Sequence, residues 1–94
     1  MIYLVLSIKN TKMRVVAELP HPDFKITIFS MNAKFIVKME RGSLEQTYKI
    51  AEMDLTDGVN SVFELLDDEF LKTVSARFKD MAVDFKTSYN RYNY

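Results

Sequence analysis

The stretch LPHPDF, residues 19–24, holds the chain's only histidine, His21, between its only two prolines, Pro20 and Pro22. An imidazole can act as a general base or ligate a metal, so its neighbours decide which chemistry is open to it. General-base work requires an orienting carboxylate and a pocket; Asp23 is the nearest acid, in the same loop. A metal site requires further ligands, and the chain has no second histidine and no cysteine. The flanking residues read more simply as a corner. A loop over Pro20–Asp23 would pair Leu19 with Phe24, Glu18 with Lys25, Ala17 with Ile26 and Val15 with Ile28. Proline suits such a loop because no ladder N–H is needed there.

Other clusters point the same way. Asp54-Leu-Thr-Asp57-Gly58-Val-Asn60 lacks the alternate-residue acids and the twelfth-position glutamate of a calcium loop. Asp67, Asp68 and Glu69 are consecutive, so on a helix their carboxylates diverge, and a helix N-terminus accounts for them. Gly42 and Gly58 are too far apart for a phosphate-cradling loop. No serine or threonine has a histidine placed to activate it, His21 aside. The expectation is a non-catalytic protein with no catalytic residues, cofactor or metal.

The elements around these residues follow from periodicity. Residues 1–52 alternate apolar and polar, the pattern of strands with one buried face. Turns can be tested by register, because a one-residue slip reverses a strand's faces. A loop at Asn10–Thr11 pairs Ile8 with Met13 and Leu6 with Val15. A loop at Asn32–Ala33 pairs Phe29 with Ile36, Ile28 with Val37, Ile26 with Met39 and Lys25 with Glu40. A loop at Arg41–Gly42 pairs Met39 with Leu44, Phe35 with Tyr48 and Lys38 with Glu45. The reading is an antiparallel meander of four or five strands. Met13 can itself serve as a start, which would make residues 1–12 an upstream extension.

After residue 53 the period changes. Val59, Val62, Phe63 and Leu66 fit a short helix over 57–66, with Ser61 and Glu64 as a capping box. Asp67 is the expected N-cap of a second helix over 68–92. Its apolar stripe, Phe70, Val74, Phe78, Met81, Phe85, Tyr89 and Tyr92, repeats every eleven residues. Eleven residues in three turns is close to a straight α-helix, so the stripe keeps to one side. Such a helix runs about 37 Å, whereas an eight-residue strand reaches about 27 Å. The last turns should overhang the sheet.

Ninety-four residues make one domain, 1–94, of two-layer α+β class with both helices on one sheet face. Thirteen basic and thirteen acidic residues cancel, unlike the strong basic excess of a general nucleic-acid coat. Residues 54–69 carry six acids and no base, in keeping with helix starts. The apolar run IYLVLSI is too short to span a bilayer, and later apolar stretches are broken by charge. No membrane association is expected, and the absence of cysteine suits the cytoplasm.

What remains are surfaces. Val16, Phe29 and Ile36 are expected on the outer sheet face, among charges that include Arg14, Lys25 and Lys38. Phe85, Tyr89, Arg91 and Tyr92 gather at the helix end, and Tyr and Arg are favoured at interfaces. These are the candidate interface residues. The alternative is single-stranded nucleic-acid binding, with Arg14, Lys25 and Lys38 taking phosphates and Phe29 a base.

The segments LPHPDFKITIFS, NAKFIVKMERGSLEQTYKI and LLDDEFLKTVSARF, within Met13–Phe85, resemble a small family of uncharacterised bacterial proteins. That resemblance implies no activity and no site residues. A meander followed by a long helix is also similar in topology to Pur-alpha-type single-strand binders, which dimerise through sheet and helix. The combined expectation is an interaction module of unassigned process, a homodimer or a binder of another protein.

Overall fold

The computed structural model describes residues 13–93. The strand and the Asn10–Thr11 turn expected over residues 1–12 lie outside them. Four strands, β1 (Arg14–Leu19), β2 (Lys25–Met31), β3 (Lys34–Arg41) and β4 (Leu44–Ala51), form an antiparallel sheet in the order β1-β2-β3-β4. A 3-10 turn (Glu52–Asp54) leads to α1 (Gly58–Leu65) and α2 (Asp68–Tyr92). The α+β architecture is the one expected, and the long helix keeps its expected bounds.

The β2–β3 register is also as expected, from Lys25 opposite Glu40 to Met31 opposite Lys34. Asn32 and Ala33 both have positive φ, 51° and 59°, as a two-residue type I′ turn requires. The β3–β4 register differs. The loop is Gly42–Ser43 rather than Arg41–Gly42, so Val37 faces Tyr48 and Phe35 faces Ile50. Gly42, at φ +60°, takes the first loop position, where only glycine turns without strain. A shift of two positions leaves every side chain on its original face, so alternation could not detect it.

The β1–β2 connection is corrected twice. Leu19 pairs with Ile26, not Phe24. Phe24 leaves the ladder and enters the core, its ring centroid 5.5 Å from that of Phe78. A bulge then interrupts the register between Val15 and Ala17. The extra residue reverses the faces beyond it. Val16 therefore packs against the core, correcting its expected place on the outer face, while Val15 turns outward opposite Phe29. Arg14 is moved as well: it pairs with Ser30, which faces Phe35 on the helix-bearing side.

The core joins Phe24, Ile26, Ile28, Phe35, Val37 and Met39 to Val62 of α1 and Val74 and Phe78 of α2. Fully burying each such side chain contributes about 2 kcal/mol. Tyr48 and Phe70 meet edge-on, with ring centroids 5.4 Å apart. One polar side chain joins this face: Gln46 is buried beside Met39, donating from Nε2 to the Val74 carbonyl at 3.0 Å. Its Oε1 accepts from the Tyr48 hydroxyl at 3.0 Å.

Asp67 caps α2 as expected, its Oδ1 accepting from the Phe70 N–H at 2.8 Å. At α1 the expected capping box is absent. Asp57 is the N-cap, and Ser61 Oγ accepts the Asp57 N–H at 2.9 Å. The helix starts three residues before Ser61, which leaves that side chain inside the first turns.

Candidate interaction surfaces

The His21 corner is tied down from several sides. Its ring stacks on Phe24, with centroids 4.0 Å apart and planes 21° apart. Its Nδ1 accepts the Asp23 N–H at 3.1 Å, so the lone pair a base would use at that nitrogen is engaged. Asp23 Oδ2 in turn accepts from Ser75 Oγ of α2 at 2.8 Å. Ser75 thus donates to a carboxylate of the loop and pins that corner to the helix. His21, Asp23 and Ser75 line a groove with Asp68, Lys72 and Lys79. The tie joins positions 52 residues apart, and no spacing in the sequence announces it.

On the outer sheet face, Val15, Phe29, Ile36 and Lys49 form one row across the four strands. Ile36 is only 5% exposed although it stands outside the core cluster, so it offers little surface to a partner. Phe29 is half-buried, and Lys38 Nζ sits 5.5 Å from its ring centroid. The same ammonium lies 4.0 Å from Glu45, and Lys25 lies 3.9 Å from Glu18. Of the residues expected to grip a nucleic acid, Phe29 and Lys38 are in contact and Lys25 shares their face, whereas Arg14 is set apart. Lys25 and Lys38 face carboxylates, Phe29 carries a cation on its ring, and Arg14 occupies the opposite register.

A second surface lies at the far end of α2. The helix buries Val74 and Phe78, half-buries Phe70, Leu71 and Met81, and then leaves the sheet. Beyond that point Phe85 is 59% exposed, Tyr89 57% and Tyr92 85%. Arg91 is exposed between the tyrosines. The same stripe is therefore core in its first half and bare in its second. Where it leaves the sheet, Ser43 and Leu44 of the β3–β4 turn face Ala82, Phe85, Lys86 and Tyr89 across a groove of about 320 Å³. A separate apolar cleft of about 310 Å³ opens between β4 and the helices, lined by Tyr48, Ile50, Val62, Leu65 and Phe70.

No family model, curated protein or solved structure matches the chain. Among the described residues no helix is long and apolar enough to cross a membrane.

Sequence reasoning passed over two features. Gln46 was legible in LEQTYKI, where alternation places it inward with Leu44, Tyr48 and Ile50. The bulge at Val16 was not, because Val15-Val16 offers two interchangeable apolar side chains.

Proposed function

We propose that this protein is a non-catalytic interaction module that self-associates through the end of α2. The observation that carries the reading is the exposure of Phe85, Tyr89 and Tyr92 on a helix end projecting beyond its own sheet. Isolated exposed apolar residues are ordinary. Three aromatics on one stripe, continuing the buried stripe of the same helix, form a contiguous patch of the kind that marks an interaction site. Tyrosine and arginine are also residue types that anchor interfaces, tyrosine because it carries large area at low entropic cost. The absence of cysteine suits a reducing compartment such as the cytoplasm.

The test is mass by light scattering across micromolar concentrations. The expected result is a concentration-dependent dimer that Tyr89→Ala and Tyr92→Ala each shift toward monomer. A wild-type chain that stays monomeric, with both variants indistinguishable from it, refutes the reading.

A further inference from the structure

Resting on that reading, we infer that the partner is a second copy of this chain, its α2 end pairing antiparallel about a two-fold axis beside Ser88. The seam is half-buried Met81 followed by exposed Phe85, Tyr89 and Tyr92, with spacings of four, four and three. Reversed, the spacings become three, four and four, so the seam matches its own reverse to within one residue. Antiparallel overlap sets Met81 against the partner's Tyr92 and Phe85 against the partner's Tyr89. This is the self-complementarity that a two-fold interface demands.

Charge supports the same register. Asp84 precedes Phe85, Ser88 precedes Tyr89 and Arg91 precedes Tyr92, so all three lie on one flank of the seam and all are exposed. In an antiparallel helix pair, like flanks face each other. Asp84 then opposes the partner's Arg91, and symmetry repeats the pair on the other side of the axis. Ser88 meets the partner's Ser88, with no like charges at the centre. A parallel pairing sets each residue beside its own copy and leaves Asp84 and Arg91 about 10 Å apart along the axis.

The length of the overhang fits this overlap. Met81 is the last stripe residue packed against the core, and α2 ends at Tyr92. Overlap of residues 82–92 with the partner's 82–92 brings each helix tip beside the other chain's β3–β4 turn, which lines a groove with Ala82, Phe85 and Tyr89. There the partner's Tyr92 meets the groove lined by Ser43, Leu44 and Ala82. Three aromatics bury at most roughly 450–750 Å² per chain, at or below a standard interface. A reversible dimer is expected rather than an obligate one.

Because the chain has no cysteine, introduced thiols report the register without background. Under mild oxidation, Ser88→Cys should link to itself, and Ala82→Cys mixed with Asn93→Cys should form the mixed disulfide. Ala82→Cys alone should stay unlinked. Asp84→Arg and Arg91→Asp should each raise the dimer dissociation constant about tenfold, and the double variant should restore it. A dimer that links 82 to 82 but not 82 to 93, or a double variant no tighter than its parents, overturns the antiparallel register and leaves self-association standing. A monomeric wild-type chain at high micromolar concentration overturns both.

Discussion

Gln46 offers a sharp test of how α2 is seated on the sheet. Its amide spans two elements, donating to the Val74 carbonyl and accepting from Tyr48, both at 3.0 Å, in a buried position. Gln46→Glu preserves shape but replaces the donor with a second oxygen aimed at that carbonyl. A carboxylate there is desolvated and faces a partial negative charge, so it is favoured only when protonated and able to donate. Its pKa must rise above the unfolded value of about 4.3, and each tenfold gain in proton affinity costs about 1.4 kcal/mol once both states are ionised. The sign follows from linkage. A carboxyl group raised in the folded state leaves stability intact below the unfolded pKa and removes it as pH climbs through the folded one. A hundredfold gain would place the loss between about pH 4 and pH 7 and make it about 2.7 kcal/mol, a large part of a small domain's stability. Gln46→Met, by contrast, leaves no charge. The Val74 carbonyl retains its place in the helical ladder and the Tyr48 hydroxyl is half-buried, so the cost is about 1 kcal/mol at every pH. Urea denaturation from pH 4 to pH 8, with wild type and Gln46→Met as references, measures both. A Gln46→Glu variant whose deficit does not change with pH, or that equals wild type at neutral pH, would refute this account of the β4–α2 contact.

The Asn32–Ala33 turn holds alanine at φ 59°. Ala33→Gly removes that steric cost, and after allowance for the greater freedom of the unfolded chain it should stabilise by about 0.5 kcal/mol; an unchanged or lower thermal midpoint would contradict the turn assignment. A labelled single-stranded oligonucleotide at low salt should show no anisotropy change on titration, since Lys25 and Lys38 already face Glu18 and Glu45. A salt-sensitive rise would favour the nucleic-acid reading instead.

Much of this fold is a direct consequence of period and charge. The β2–β3 register could be read because a two-residue turn, apolar pairs inside and Lys25 opposite Glu40 outside all agree. The long helix could be read from its eleven-residue stripe and the cap at Asp67, and its overhang from simple length. Length also located the candidate surface, since a stripe longer than the sheet must end uncovered.

Other features depended on forces that no local pattern expresses. Period-two alternation is blind to shifts of two, so the Gly42–Ser43 turn was decided by glycine's positive φ, and the LPHPDF loop by the pull of Phe24 into the core against Phe78. The bulge at Val16 reversed the faces of Val15 and Arg14 and so took Arg14 away from the outer-face lysines Lys25 and Lys38. Ser75 meeting Asp23, and Gln46 meeting Val74, are contacts between distant elements, made only once α2 lies across the sheet. Alternation and helical period say which face of an element is apolar; packing decides what that face meets and where the cover ends, which is why Phe78 is core and Phe85, seven residues on along the same stripe, is surface.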